Sequence, residues 1–325
     1  MTTVHDVLIE LAESSLSNWD KGDKFERLMV AYLKADPLYA NRFSDVWQWV
    51  DWPDRVTGQD TGIDIVAQER ETGEFCAIQC KFYDQLHTLQ KADIDSFFTA
   101  SGKKPFTSRI IISTSDDWSK HAEEALAEQH IPVTRIRVQD LDESGVDWSQ
   151  FNLNRPDKVE LKPRKELFPH QKIAVEETVA GFKNGDRGKL IMACGTGKTF
   201  TSLRIAEKLA RKGGNVLFLA PSISLISQTL REWATEATLP LRTYAVCSDT
   251  KVGKRSTNED LRVHDLAIPA TTNPKALATH YQWANDGKRL NVIFSTYQSI
   301  QVIHAALAGM LGKSVPASHD LHRIV

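Results

Sequence analysis

The feature that most limits how this chain can fold is the stretch "MACGTGKTFTS", residues 192–202. Gly195 and Gly197 permit a tight loop whose backbone N–H groups turn inward, where they can surround an anion. A helix that begins directly after such a loop favours negative charge at its N-terminus. Lys198 can reach the β- and γ-phosphates of a nucleotide, and Thr199 can ligate Mg²⁺. With the apolar run "KLIMA" before it, the stretch predicts a strand, a phosphate-binding loop of Gly195, Thr196, Gly197, Lys198 and Thr199, and a helix.

The segments around this loop alternate between apolar runs typical of strands and amphipathic runs typical of helices. The predicted helices are "PHQKIAVEETVAGF" and "SLISQTLREWATEA", and the predicted strands are "NVLFLAPS", "RTYAVCSD" and "NVIFSTYQS". Such alternation predicts a doubly wound parallel sheet, as in RecA-like domains. Residues 249–275 are polar and are expected to form a long irregular excursion.

The first half of the chain has a different α/β order. It predicts a helix over 22–35, two strands ("TGIDIVAQER" and "GEFCAIQCKFYD") joined by a short turn, a helix near 91–101 and a strand over 108–115. A helix "WSKHAEEALAEQH" and a strand "VTRIRVQDL" follow. The order predicts a compact α/β domain with a mixed sheet. The charged, proline-containing stretch 152–166 reads as a linker between domains at 1–151 and 167–325.

Composition narrows the class of protein. The chain of 325 residues has a net charge of −2, so any DNA-binding surface must be local. No apolar run approaches the roughly 18 residues of a membrane span, and the N-terminus lacks the features of a secretory signal. Four cysteines in this length do not suggest a disulfide framework. We therefore expect a protein of the reducing cytoplasm, without a membrane partner.

A group of polar side chains interrupts the apolar strands of the first domain. Gln79 and Lys81 in "CAIQCKFY" are two residues apart and therefore share one face of a strand. Asp64 lies on the strand before the turn, and Glu26 lies on the preceding helix. A carboxylate and an amide oxygen can hold a hard divalent cation, and a neighbouring lysine can orient the attacking water. The alternative is a solvated sheet edge on which Asp64 is an ordinary ion-pair partner of Lys81.

These residues resemble a known nuclease family. "FE" on the helix, "GID" on one strand and "QCK" on the next are similar to the Mrr-like branch of the PD-(D/E)xK nucleases, in which Gln replaces the second acidic residue. The resemblance covers about residues 20–145. It implies that Asp64 is the main metal ligand, that Gln79 occupies the second motif position at the metal, that Lys81 is the catalytic lysine and that Glu26 is an assisting acid. Asp60 is a weaker candidate, and Ile63 stands where the wider family has proline.

The flanks of the phosphate loop resemble superfamily 2 helicases. "ELFPHQKIAV" looks like their adenine-recognising element, which implies that Gln171 reads the adenine edge. "LAPSISLISQTLREW" resembles motif Ia and "STYQS" resembles motif Ib, both of which touch the nucleic-acid backbone in that family. The family's DExH element does not occur in residues 1–325, although "HRIV" reads as the start of its strand. We therefore expect a piece of a longer protein whose ATPase is inactive by itself.

A nuclease placed before such a motor resembles the ATP-dependent restriction enzymes, above all the single-chain type ISP class, with the motor subunit of type I enzymes as a near relative. The stretch that begins "VCSDTKVGKRSTNEDL" also looks like an insertion of those motors. The resemblance implies Mg²⁺ and ATP as cofactors and double-stranded DNA as partner. It also implies a second motor half, a methyltransferase and a target-recognition domain elsewhere. Two alternatives stay open: a defence or repair nuclease–helicase without methyltransferase, and an ATP-gated DNA-binding switch with an inactive nuclease.

Overall fold

The structure is a computed structural model that describes residues 2–55, 62–84, 86–127, 129–152, 155–156, 158–248, 261–280 and 287–311. The chain divides into two compact units between Lys162 and Pro163, and His264–Pro269 belongs to the first unit. The division falls within the predicted linker at 152–166, while the proposed domain bounds on either side of it stay predictions. No helix in the described part of the chain is both long and apolar enough to cross a bilayer.

The first unit is built on a five-stranded mixed sheet. Its elements are α1 (Val4–Glu13), α2 (Asn18–Ala35), α3 (Pro37–Arg42), β1 (Phe43–Gln48), β2 (Ile65–Glu69), β3 (Phe75–Lys81), α4 (Ala92–Ser101), β4 (Phe106–Ser113), α5 (Lys120–Leu126), β5 (Val133–Ile136) and α6 (Val138–Asp142). The strands lie in the order β1-β2-β3-β4-β5, with β2 antiparallel to β1 and β3, and β4 parallel to β3 and β5. The predicted mixed sheet is confirmed.

Two boundaries in this unit differ from the sequence prediction. Helix α2 begins earlier than predicted, because the Ser17 side chain accepts a hydrogen bond from Asp20 N–H and caps the first turn. The strand predicted over "VTRIRVQDL" stops at Ile136, because Arg137 N–H donates to Asp140 Oδ2 at 2.8 Å and starts α6. Strand β1 was not predicted.

The second unit contains a parallel sheet between helices. Its elements are α7 (Pro169–Gly181), α8 (Lys198–Ala210), β6 (Asn215–Ala220), α9 (Ile223–Glu236), β7 (Leu241–Val246), α10 (Pro274–His280), β8 (Leu290–Thr296) and α11 (Ile300–Leu311). The strand order is β6-β8-β7, and both pairs are parallel. The predicted parallel sheet is confirmed.

The strand predicted over "KLIMA", before the phosphate loop, is wrong for this structure. Residues 187–193 form no strand, and Leu190 and Ile191 are 45% and 90% exposed. A strand needs a neighbour for its N–H and C=O groups, and in the described part of the chain β6, β8 and β7 form ladders with one another and none with residues 187–193. "HRIV", the segment predicted to begin the next strand, lies outside the described residues.

The expected excursion at 249–275 is also more ordered than predicted where it is described. Residues 249–260 lie outside the described part. Val263–Asp265 forms a 3₁₀ turn, Ala270 makes a parallel bridge with Ala245, and α10 begins at Pro274.

Candidate nuclease and nucleotide sites

Asp64 lies at the point where the β2–β3 ladder ends. Its N–H donates to Ile78 O at 3.0 Å, and its own carbonyl accepts from Trp49 N–H at 2.7 Å. Beyond this point the Asp64 side chain takes the place of a backbone carbonyl as hydrogen-bond acceptor for β3. Cys80 N–H donates to Asp64 Oδ2 at 2.7 Å. Since Ile65 pairs with Ile78, Asp64 stands across from Gln79.

Gln79 is the most enclosed member of the predicted set, at 1% exposure. Its Nε2 donates to Gly62 O at 3.0 Å, and its Oε1 has no hydrogen-bond partner in the described part of the chain. Lys81, two residues on, is half-buried at the end of β3, opposite Ser113 of β4. Its carbonyl accepts a hydrogen bond from Thr114 N–H at 3.0 Å, which fixes the end of the strand.

Glu26 approaches this strand end from α2. Gln48 Nε2 lies 3.4 Å from Glu26 Oε2 and 3.2 Å from Asp23 Oδ1, so the last residue of β1 bridges two acids one turn apart. Phe25, next to Glu26, packs edge-on against Phe82 with ring centroids 5.3 Å apart. Helix α2 is therefore docked onto the residues that follow Lys81.

The pKa of the Cys80 thiol reflects the charges around this strand end. Burial raises the pKa of Cys80 well above its ordinary value, the carboxylates of Asp64 and Glu26 raise it further, and Lys81 lowers it. Asp64, Glu26 and Lys81, three of the four predicted site residues, thus each shift the pKa of the Cys80 thiol. The structure places Asp64 across from Gln79 with Lys81 two residues on, Glu26 faces this strand end from α2, and Asp60 lies outside the described residues.

The donor atoms suit a hard cation. In the described residues no three His, Cys, Asp or Glu side chains come together as a metal cluster. Among the described residues, the oxygen donors suited to a cation are the Asp64 carboxylate and Gln79 Oε1, which has no hydrogen-bond partner there, and a buried acceptor without a donor is rare in folded proteins. Oxygen donors of this kind, completed by water and backbone carbonyls, match the preferences of Mg²⁺.

The phosphate loop has the backbone that its glycines predicted. Gly195 and Gly197 have φ of +74° and +76°, values that favour glycine, and Gly197 caps α8. Lys198 Nζ donates to Ala193 O at 2.9 Å and to Met192 O at 3.3 Å, so the lysine lies along its own loop. Thr199 is the second residue of α8, and its carbonyl accepts from the indole N–H of Trp233 at 3.0 Å.

Gln171 contacts this loop directly. Its Nε2 donates to Thr196 O at 3.0 Å, and its Oε1 accepts from Phe168 N–H at 2.9 Å. A Cβ added to Gly197 would lie 2.3 Å from Gln171 Nε2, so this glycine is also required for close approach. His170 Nε2 lies 3.3 Å from the same Thr196 carbonyl.

The two segments that resemble motifs Ia and Ib end neighbouring strands. Ala220 at the end of β6 pairs with Thr296 at the end of β8. Ser222 caps α9 by accepting from Leu225 N–H, and Thr296 Oγ1 donates to Ser299 Oγ at 3.2 Å. Both segments therefore lie at the carboxyl edge of the parallel sheet, where ligands of such sheets bind.

Comparison with known proteins finds a different family in each half of the chain. Residues 34–158 match the Mrr catalytic family, described as "Restriction endonuclease", and residues 164–317 match the ResIII family, described as "Type III restriction enzyme, res subunit". A search of curated proteins finds no match. The chain therefore carries an Mrr-like restriction endonuclease domain followed by a ResIII helicase-like domain.

Among solved structures, the chain matches the ATP-dependent type ISP restriction-modification enzyme LlaBIII bound to DNA. The match has a TM-score of 0.82 and 37% identity over 95% of this chain and 19% of that chain. A nuclease-deletion mutant of the type ISP enzyme LlaGI, in complex with a DNA substrate mimic, matches at a TM-score of 0.37 and 40% identity over 45% of this chain and 14% of that chain. The chain thus spans about a fifth of the length of the type ISP enzyme LlaBIII that it matches.

Sequence reasoning missed two contributors to these sites. Gly62 lies in the "GID" stretch, whose pattern does not indicate that the Gly62 carbonyl accepts a hydrogen bond from the Gln79 amide. Gln48 carried no signal, because it lies on β1, a strand whose burial pattern lacks the alternation that identifies strands.

Proposed function

We propose that this chain contains the DNA-cleaving and ATP-binding parts of an ATP-dependent restriction endonuclease that translocates on duplex DNA in the cytoplasm. One observation supports it most. Asp64, Gln79 and Lys81 meet at a strand end of an Mrr-like domain, and a glycine-rich phosphate loop follows in the same chain.

In the nuclease, Asp64 and Gln79 Oε1 would hold a divalent cation, with Mg²⁺ as the physiological choice. When bound, the cation supplies Lewis-acid polarisation of the scissile phosphoryl oxygen. Lys81 orients the attacking water and offsets the negative charge that develops on the phosphate. Glu26 assists from α2, held by Gln48.

In the ATP site, the N–H groups of residues 195–199 would surround the phosphates, Lys198 would approach the β- and γ-phosphates and Thr199 would ligate Mg²⁺. Lys198 must leave the carbonyls of Met192 and Ala193 to do so. Gln171 reads adenine only after exchanging its bonds to Phe168 and Thr196.

Duplex DNA is the proposed partner, contacted along the carboxyl edge of the parallel sheet. The second motor half, a methyltransferase and a target-recognition domain are proposed to lie in other parts of the protein. Hydrolysis needs an acid for Mg²⁺, a residue that positions water and charge from an opposing domain. We therefore expect the 325-residue chain by itself to show no DNA-stimulated phosphate release.

Two alternatives are separated by direct tests. A methyltransferase motif in the complete reading frame favours restriction–modification over a defence or repair nuclease–helicase. Mg²⁺-dependent nicking of DNA excludes an ATP-gated switch with an inactive nuclease.

The experiment that tests the proposal compares the full-length enzyme with its Asp64→Asn and Lys198→Ala variants on duplex DNA, with Mg²⁺ and ATP. We expect Asp64→Asn to keep ATPase and lose cleavage, and Lys198→Ala to lose both. Undiminished cleavage by Asp64→Asn contradicts the nuclease assignment.

A further inference from the structure

We infer that the carbonyl of Gly62 selects an amide, rather than a carboxylate, at position 79 and thereby aims Gln79 Oε1 at the proposed cation. Gly62 is then a positioning residue of the nuclease. The inference rests on the proposed function and adds to it a reason why this site has Gln where an acid would bring more charge.

The hydrogen bond fixes which end of the amide faces which way. A backbone carbonyl can only accept, so the NH₂ end of Gln79 must face Gly62 O, 3.0 Å away. Oε1 therefore points away from Gly62, buried and without a hydrogen-bond partner in the described part of the chain. A single unpaired oxygen in an enclosed position is what a hard cation, or water bound to it, requires.

A carboxylate at this position loses the bond to Gly62. Glu has no N–H, so one of its oxygens would oppose the Gly62 carbonyl oxygen, and two acceptors would face each other in a buried place. The side chain would turn away and carry its second oxygen out of the cation position. Charge alone predicts that Gln79→Glu binds a divalent cation more tightly, and loss of the Gly62 bond predicts that it binds more weakly.

The position of the Gly62 carbonyl depends on helix α4. Gly62 has φ of +74°, and a Cβ added to it would lie 2.8 Å from Ser96 Oγ and 3.3 Å from Phe97 N. A larger residue at position 62 would collide with Ser96 and Phe97 of α4. The chain at position 62 must then shift, and the Gly62 carbonyl moves with it. Gly73, in the β2–β3 turn, has φ of +72° and meets no atom closer than 3.9 Å, so it provides a matched control with the same backbone requirement.

The first experiment titrates the 325-residue chain and its Gln79→Glu variant with Mn²⁺ by calorimetry, with circular dichroism to verify the fold. Loss of a residue that orients a metal ligand commonly weakens binding about 10- to 100-fold, and we expect a loss in that range for Gln79→Glu. Equal or tighter Mn²⁺ binding by the folded variant overturns the inference. Absence of Mn²⁺ binding by the unmodified chain overturns the proposed cation site itself.

The second experiment compares Gly62→Ala with Gly73→Ala by the same titration and by thermal unfolding. Both variants have the same backbone strain, and Gly62→Ala adds a close contact with Ser96, so we expect both to lose melting temperature and Gly62→Ala to lose more. Only Gly62→Ala should weaken Mn²⁺ binding, by about tenfold or more. Equal Mn²⁺ affinity in the two variants overturns the inference, whatever their stability.

Discussion

Arg135 donates from both Nε and Nη2 to a single oxygen of Asp265, at 2.9 and 2.6 Å, across 130 residues of chain. Both side chains are buried, and the guanidinium also pairs with Glu123 and lies over the ring of Trp118 at 5.0 Å. The segment His264–Pro269 is thereby fastened into the nuclease unit by charge as well as by its apolar residues.

Asp265→Ala should destabilise this unit strongly, because it leaves a buried guanidinium with one carboxylate instead of two. Removal of one member of a buried ion pair costs roughly 3–5 kcal/mol, and we expect about 3 kcal/mol because Glu123 remains. Asp265→Asn is the control, since it retains an acceptor oxygen and should lose less. Urea unfolding of the three proteins measures the difference, and equal stability of Asp265→Ala and the unmodified chain would show that this pair contributes nothing.

The folding stability should fall at acidic pH because Glu123 becomes protonated. Burial opposes ionisation of this carboxyl, but His264 and Arg135 more than offset it and lower its pKa from 4.5 to about 2. A carboxyl with a lowered folded-state pKa contributes stability above its unfolded pKa and loses that contribution as the pH falls. The loss should therefore occur between about pH 4.5 and pH 2, measured as the melting temperature across that range. Glu123→Gln should show a flatter profile in the same window.

DNA cleavage should depend on the charge of Asp64 separately from its structural bond. Asp64→Ala removes both the charge and the acceptor for Cys80 N–H, whereas Asp64→Asn keeps an acceptor oxygen. We expect both variants to lose cleavage by at least about 1,000-fold, equivalent to roughly 4 kcal/mol of transition-state stabilisation. Only Asp64→Ala should also lose about 1 kcal/mol of folding stability. Lys81→Ala should lose cleavage with the fold retained. A cleavage assay with Mg²⁺, paired with thermal unfolding, separates the two effects.

ATP binding should control cleavage in the full-length enzyme. Lys198 is exposed, and its hydrogen bonds in the described part of the chain go to the carbonyls of its own loop, so Lys198→Ala should leave the fold unchanged. Both ATPase and DNA cutting should be lost, because cleavage is proposed to follow translocation. Lys189→Ala, an exposed lysine before the loop, is the control and should keep both activities. A Lys198→Ala enzyme that cuts at the unmodified rate would break the proposed link.

The elements that local patterns specify well were predicted from the sequence. The hairpin of β2 and β3, helix α2 with its buried Phe25, and the strands β6 and β8 follow from periodicity and turn residues. The positive φ of Gly195 and Gly197 likewise follows from the glycines themselves.

What the sequence could not show depends on partners far away in the chain. "KLIMA" has the composition of a strand, yet Ile191 is 90% exposed because the described strands offer it no neighbour. The link between Gly62 and Gln79 spans 17 residues and depends on a fold that brings a loop carbonyl to a buried amide. Cross-strand and tertiary contacts of this kind override local propensity.

The 130 residues between Arg135 and Asp265 also set an order in time. Chains are made from the N-terminus at about 5–20 residues per second, so Arg135 emerges on the order of ten seconds before its carboxylate exists. During that interval the endonuclease domain lacks the segment that closes its ion-pair network. It becomes complete only when most of the helicase-like domain has been synthesised, so the order of synthesis delays maturation of the endonuclease domain.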